Sequence, residues 1–275
     1  MIGAPQDLLE SDVVDAPHGP PGGDFRSHAS RKLEQKRPAI EVSVVIPAHD
    51  ERDNIRPLLE ELRTALRKIR RSHEIILVDD GSDDGTDSAI EAESRGDASI
   101  RPVFLANRVG QSAALLAGLS RAGGEVIVTL DADLQNDPAD LPRILDALED
   151  ADVVSGIRRD RNDSRLRKIS SRIANGVRRA VIGDSVTDIG CSFKAYRREA
   201  LENLPAFVGV HRFLPALCVF RGARLVEIPL AHRPRRHGVS KYGVSNRLGR
   251  GLVDLAGVYW LKSRLIRYDI REVPR

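Results

Sequence analysis

The sequence predicts an α/β fold, a mostly parallel sheet flanked by helices and followed by a C-terminal amphipathic helix. Three observations predict it. Short, continuous runs rich in Val and Ile recur between residues 42 and 155. Segments of roughly 10–20 residues with helical periodicity separate them. Acidic or glycine-bearing turns end the runs. Strands that are apolar throughout belong in a parallel sheet covered on both faces.

Each element follows from its residues. Val42-Ser-Val-Val-Ile46 is a β-branched run stopped by Pro47. Asp53 to Arg71 places Ile55, Leu58, Leu59, Leu62, Ala65, Leu66 and Ile69 at helical spacing. Ile75 to Val78 is a second buried strand, followed by the turn Asp79-Asp-Gly-Ser-Asp-Asp-Gly85 and a helix from Thr86 to Arg95. Val103 to Ala106 is the third strand, and Gly110 to Ala122 a helix rich in Ala and Leu. Glu125 to Leu130 is the fourth strand. Pro138 opens a helix at the first-turn position that tolerates proline, and Val153 to Ser155 is the fifth strand.

Beyond Arg158 the pattern is less regular. Arg165 to Val181 and Leu214 to Phe220 read as helices, and Ser192 to Tyr196 and Arg224 to Ile228 as strands. Ser245 to Arg264 reads as a long helix. Its charges Arg247, Arg250 and Asp254 fall on one stripe, and Leu248, Leu252, Leu255 and Tyr259 on another. Residues 1–38, rich in Pro, Gly and charge, read as a disordered tail without the apolar core of a secretory signal. Residues 39–230 form the predicted α/β domain. Residues 231–275 add a basic loop and the C-terminal helix to that domain.

Composition narrows the function. Hydrophobic residues make up 41% of the 275, charged residues 30% and aromatics 4%. So few aromatics argue against a stacking platform for single-stranded nucleic acid. Two cysteines, Cys191 and Cys218, exclude a disulfide scaffold and a zinc cluster. No run is long and apolar enough for a membrane span. The net charge is only +3, but it is unevenly placed. Ile157 to Ile182 carries nine Lys/Arg against two Asp, and Ala231 to Arg275 eleven against three, so the remainder is acidic. Two basic blocks in the second half predict an anionic partner there.

In a parallel sheet, ligands bind beyond the carboxyl ends of the strands. The loops after Ile46, Val78, Ala106, Leu130 and Ser155 should therefore share one rim. Asp131-Ala132-Asp133 places two carboxylates one residue apart on that rim, where they can bind one Mg²⁺ or Mn²⁺ together with substrate phosphate oxygens. A solvated turn is the plainer reading of the tripeptide, and its position at a strand end favours a site. Asp80 could accept hydrogen bonds from a nucleobase edge, while the rest of its turn caps the following helix. His49 and Glu51, after Pro47, could hold a base and ribose. Asn107 to Ser112 leads into a helix start, a possible anion site. Arg235-Arg-His-Gly-Val-Ser-Lys241 supplies the cations that neutralise a diphosphate. No Gly-x-x-x-x-Gly-Lys occurs, nor Gly-x-Gly-x-x-Gly after the first strand, so kinase-type and dinucleotide-type binding lose support.

Seven signatures in order, from Val42 to Lys262, resemble family 2 glycosyltransferases of the polyprenyl- or dolichyl-phosphate sugar synthase branch. They are Pro47-x-x-x-Glu51, Val78-Asp-Asp-Gly-Ser82, Asn107-x-x-Gly110, Asp131-Ala-Asp-Leu-Gln135, Ser155-Gly-Ile-Arg158, Thr187-Asp-x-Gly190 and Arg235-x-x-Gly-x-Ser-Lys241. The resemblance implies a GT-A fold and inverting transfer from a nucleotide sugar, GDP-mannose or a UDP-hexose. It implies a donor site of Pro47, His49, Glu51, Val78 and Asp80 around the nucleoside. It places Asp131, Ala132, Asp133 and Gln135 at the metal and diphosphate. It implies that Arg158, Arg235 and Lys241 meet donor and acceptor phosphates, and that Asp188 lies near the reaction centre. The family often has Tyr-Asn where this chain has His49-Asp50.

The expected acceptor is a polyprenyl phosphate at the cytoplasmic membrane face. An anionic phosphate can attack without a strong base. A saccharide or glycolipid hydroxyl, the alternative acceptor, would need one, with Asp188 the candidate. The basic blocks and Tyr259, Trp260, Lys262 and Arg264 would then suit a peripheral membrane contact. A separate membrane subunit and a homo-oligomer are further partners this reading admits. A nucleotide-binding regulatory module would leave the Asp131/Asp133 pair with Arg235 and Lys241 unused. A nucleic-acid binder would leave the acidic rim unexplained, so nucleic acid is not an expected partner.

Overall fold

A computed structural model of the chain describes residues 40–159, 175–234 and 244–265, with side chains in the last segment from residue 251. The predicted tail, Arg235 and Lys241 lie outside the described residues. The order of elements is β1 (Val42–Ala48), α1 (Arg52–Ile69), β2 (His73–Asp79), α2 (Thr86–Arg95), β3 (Ile100–Phe104), α3 (Gln111–Arg121) and β4 (Val126–Thr129). A 3₁₀ turn (Pro138–Asp140) then leads into α4 (Leu141–Ala147) and β5 (Val153–Arg158). Residues 175–182 are helical (α5). β6 (Lys194–Arg197), α6 (Arg198–Leu201), α7 (Val210–Phe220), β7 (Leu225–Leu230) and α8 (Val244–Arg264) complete the chain.

The strands form one sheet in the order β3-β2-β1-β4-β6-β5-β7. β1, β2, β3 and β4 are mutually parallel. β6 runs antiparallel to both β4 and β5, which returns β5 and its parallel neighbour β7 to the direction of the first four. The carboxyl ends of β1, β2, β4 and β5 therefore do face one rim. The sequence reading anticipated a strand near β6 but not its direction.

Alternation along the strands separates two cores. Val42, Val44 and Ile46 of β1 pack with Ile55, Leu58, Leu59 and Leu62 of α1 and with Ile144 of α4. Val45 and, from β2, Ile76 and Val78 face the other way, onto Ala114 and Leu115 of α3 and Leu214 and Leu217 of α7. Successive side chains of a strand point to opposite faces, so one run serves both layers. Each fully buried aliphatic side chain contributes about 1.5–3 kcal/mol.

Several boundaries differ from the sequence reading: β1 runs on through Pro47 to Ala48, and β5 through Ser155 to Arg158. β3 begins at Ile100, three residues before the expected Val103. It is an edge strand paired only with β2, so Pro102 costs no needed ladder donor. Pro138 opens a 3₁₀ turn rather than the helix, which starts at Leu141. α7 begins at Val210, four residues before the expected Leu214, after Gly209 in a left-handed conformation (φ 98°).

The C-terminal helix also departs from the predicted stripes. Leu255 and Val258 are buried against the α7 side of the fold, whereas Leu252, Val253, Tyr259 and Trp260 are exposed. Asp254 turns inward toward Arg212 (3.9 Å) instead of sharing a solvent stripe. Lys262 caps the end of α5 by donating to the Ile182 carbonyl (2.6 Å), with its ammonium 5.1 Å from the Phe220 ring centroid. The helix thus carries apolar side chains on two faces and docks with one.

Candidate active site

The rim is laced together by backbone before any side chain acts. The Asp80 amide donates to the Ala48 carbonyl (2.9 Å), the Leu105 amide to Asp79 (2.9 Å) and the Leu130 amide to Val45 (3.2 Å). The loops after β1, β2, β3 and β4 therefore hold fixed positions relative to one another.

After β4 the chain makes a tight turn through Asp131-Ala132-Asp133-Leu134-Gln135. Leu134 is buried yet adopts a left-handed backbone (φ 60°). That conformation costs a leucine on the order of 1–2 kcal/mol and persists only where the surroundings over-determine it. The Gln135 amide donates to Asp133 Oδ1 (3.1 Å), and the Gln111 side-chain amide donates to Asp131 Oδ1 (2.9 Å). Burial, with the Asp133 charge adding to it, pushes Asp131 up to about 6. Two carboxylates that raise the cost of charging one another are what a divalent cation relieves. Both donors are hard oxygens, so Asp131 and Asp133 fit Mg²⁺ or Mn²⁺. Among the described residues no group of three or more His, Cys, Asp or Glu side chains could hold a metal. The remaining coordination would come from water or a phosphate-bearing ligand.

Asp80 has a use the sequence did not suggest. Its carboxylate accepts from the Val109 amide (2.8 Å) and from the Gly110 amide (2.9 and 3.0 Å). The anion held at the start of α3 is thus the protein's own. Gly81 makes this approach possible. A Cβ there would sit 2.5 Å from the Arg108 amide nitrogen, and the residue has φ +59°. Asp79 instead accepts from the Ser82 hydroxyl (2.5 Å).

Of the other nucleoside candidates, Glu51 opens α1 and accepts from Asn54 Nδ2 (2.5 Å), while its amide donates to Thr86 Oγ1 (2.9 Å). His49 Nε2 lies 3.3 Å from Asp50 Oδ2. Pro47 is half-buried on the rim. Val78 is wholly buried beneath α3 and presents no side-chain surface to the rim.

Arg158, at the end of β5, and Asp188 meet in a two-pronged pair. Nε donates to Oδ2 (2.8 Å), Nη2 donates to Oδ1 (2.7 Å), and the Arg158 amide also reaches Oδ2 (3.2 Å). Gly190 lies against this pair, and a Cβ there would come within 2.5 Å of Arg158 Nη2. Close by, the buried Lys194 ammonium donates to the Cys191 carbonyl, and burial holds it below the ordinary lysine range.

Several residues of the site escaped the sequence reading. Gln111 was seen only as part of a helix start, but it orients Asp131. Ser112 accepts from the Gly209 amide (2.9 Å) and pairs with His211 Nδ1 (2.7 Å). Burial, with the Arg212 charge adding to it, lowers His211 to about 3. Arg233 joins Glu61 and Asp137. A lone Ser, His or Gln carries no pattern in sequence, and only the approach of α3 to α7 pairs them.

The family model for glycosyl transferase family 2 matches residues 43–205. An undecaprenyl-phosphate 4-deoxy-4-formamido-L-arabinose transferase from Edwardsiella ictaluri is 39% identical over 205 residues, 74% of this chain and 63% of that protein. A dodecaprenyl-phosphate galacturonate synthase from Rhizobium johnstonii is 38% identical over 85% of this chain and 69% of its own length. The chain thus spans about two thirds of the length of these curated relatives. Among solved structures, a glucosyl-3-phosphoglycerate synthase from Mycobacterium tuberculosis in complex with uridine diphosphate superposes with a TM-score of 0.62 at 21% identity, covering 82% of this chain and 81% of that one. A mannosyltransferase from Pyrobaculum calidifontis in complex with GDP-Man and Mn²⁺ gives 0.59 at 23%, covering 80% and 64%. These likenesses establish the GT-A fold.

Proposed function

Because the chain belongs to glycosyl transferase family 2, we propose that it moves a sugar from a nucleotide diphosphate sugar to a polyprenyl phosphate, with inversion. The observation that carries this reading is the Asp131/Asp133 carboxylate pair, on the same rim as the Arg158–Asp188 pair. The acceptor class is supported by the names of the relatives, two polyprenyl-phosphate sugar transferases.

In this reading an acceptor phosphate oxygen forms the new bond to the anomeric carbon. The bond from that carbon to the diphosphate breaks, and the nucleoside diphosphate leaves. A divalent ion held by Asp131 and Asp133 would supply charge neutralisation on the diphosphate. Gln135, next to Asp133 in the same turn, faces the donor. Pro47, His49 and Glu51 border its nucleoside, and Asp80 holds the α3 start that closes that border. Arg158 meets the phosphate charge, and Arg235 and Lys241 add to it. Asp188 holds Arg158 in place. A phosphate acceptor is already anionic near neutral pH, so no residue need remove its proton. Engagement of Asp188 by Arg158 supports this acceptor over a hydroxyl one, which would call on Asp188 as base.

The exposed Tyr259 and Trp260 on α8, one turn before Arg264, suit a peripheral contact with an anionic membrane surface, where the lipid acceptor resides, whereas Lys262 is engaged by the fold. Among the described residues no helix is long and apolar enough to cross a membrane.

The test is a donor screen. Purified chain, Mn²⁺ or Mg²⁺ and a short polyprenyl phosphate are incubated with a panel of UDP- and GDP-sugars, with Asp133→Ala as control. Metal-dependent lipid-linked sugar, absent in the variant, is the expected result. Absence of binding by every donor would overturn the reading.

A further inference from the structure

The acidic turn is held from both sides. On the near side, Asp133 accepts from the Gln135 amide (3.1 Å). On the far side stands Arg233, more than ninety residues on in the chain. Its backbone amide donates to the Gln135 carbonyl (2.7 Å), and the Gln135 side chain reaches back to the Arg233 carbonyl (3.5 Å). Its guanidinium forks, with Nη1 2.7 Å from Glu61 on α1 and Nη2 2.5 Å from Asp137. The neighbouring residues are docked the same way. His232 bridges to Asn136 in antiparallel fashion, and the Ala231 amide donates to Asp140 Oδ2 (2.9 Å).

Leu134 lies between the two anchors in its left-handed conformation. A turn held in a costly geometry needs more than one constraint to stay there. The near anchor lies within the turn and moves with it. Arg233 ties the turn to α1, which the apolar core fixes independently.

We propose that Arg233 is a positioning residue that sets Gln135, and through it Asp133, for the donor diphosphate. This rests on the donor reading given above. Arg233 touches no reacting atom; it acts through the turn. The fork is essential, because only a planar guanidinium reaches Glu61 and Asp137 at once.

The experiment compares the whole chain with Arg233→Lys, Arg233→Gln and Glu61→Gln. It measures KM for the nucleotide sugar, KM for the polyprenyl phosphate, calorimetric binding of UDP and of GDP with Mn²⁺, and the melting temperature. A small displacement of a positioning group costs about 10- to 100-fold. Arg233→Gln should therefore raise donor KM and nucleotide Kd by about tenfold or more, with acceptor KM within about twofold. Arg233→Lys should recover only part of this, and Glu61→Gln should fall between it and the wild type. Arg233→Gln binding nucleotide as the wild type does would overturn the assignment, as would equal increases in both KM values that track a lower melting temperature. A wild-type chain that binds neither nucleotide would overturn the donor reading itself, and the assignment with it.

Discussion

Arg158 and Asp188 face each other through two parallel hydrogen bonds, Nε to Oδ2 at 2.8 Å and Nη2 to Oδ1 at 2.7 Å. Both side chains are largely buried, at 17% and 9% exposure. A carboxylate engaged in this way orients a cation rather than waiting for a proton.

Asp188→Asn and Arg158→Lys should therefore have similar effects. Each should lower sugar transfer by about 10²-fold, as loss of one aligned charge-stabilising donor does, with nucleotide affinity nearly unchanged. The pH–rate profile of Asp188→Asn should keep the wild-type limbs. Disappearance of the acidic limb would instead make Asp188 a general base.

Asp131→Asn should make the metal-free protein more stable. The Asp131 carboxyl is raised from 3.8 to about 6 by burial and by Asp133. Its penalty is absent below the unfolded value, grows as pH rises between the two values and is complete above the folded one. At pH 8 without divalent ions, the variant should gain on the order of 1–3 kcal/mol in chemical denaturation, while transfer is lost. Mn²⁺ should raise the melting temperature of the wild type and leave the variant unmoved.

Glu74→Gln should flatten the acid limb of stability. Burial pushes Glu74 up, but hydrogen bonds from Arg101 (2.5 Å), the Ser43 hydroxyl (2.7 Å) and the Gly123 amide (2.5 Å) outweigh it and leave it below 4.5. A depressed carboxyl contributes its stability fully above the unfolded value and loses it as pH falls through the folded one. The variant should be about 1–2 kcal/mol less stable at pH 7. The difference should shrink below pH 4.5. A difference independent of pH would refute the ionic account.

Gly81→Ala should destabilise the chain by about 1–3 kcal/mol, through positive φ and contact with backbone that cannot yield. Urea denaturation reads the loss directly. It should also weaken nucleotide binding, because Asp80 would release the start of α3. A neutral substitution would mean that the turn can shift without cost.

Trp260 is the only tryptophan in the chain and is 61% exposed, so its fluorescence reports on α8 alone. Vesicles containing phosphatidylglycerol should shift its emission to the blue, and neutral phosphatidylcholine vesicles should shift it much less. An unchanged spectrum with both would remove the membrane role of α8.

Much of the fold was legible because periodicity is local. Ile55, Leu58, Leu59 and Leu62 announce a helix face wherever they occur, and they are buried on α1 as the spacing required. The direction of β6 was not legible, because a four-residue strand reads the same in either orientation. On α8, Leu252, Leu255 and Tyr259 read as one apolar stripe, but the docking of Leu255, Val258 and Lys262 leaves Leu252 and Tyr259 exposed. An amphipathic pattern states that a face exists; the neighbouring surface selects it.

The same division runs through the site. By itself the sequence determined the acidic turn, the paired Asp131 and Asp133, and the alternation of strands and helices that brings those loops to one rim, since each depends on residues close together in the chain. Tertiary structure decided how those residues are used. It gave the Asp80 carboxylate to the Val109 and Gly110 amides, Asp188 to Arg158, and the acidic turn to Arg233. These pairings join residues about 30 to 100 positions apart. No local preference encodes them, because their free energy arises only when the packed sheet and helices bring the partners within hydrogen-bonding distance.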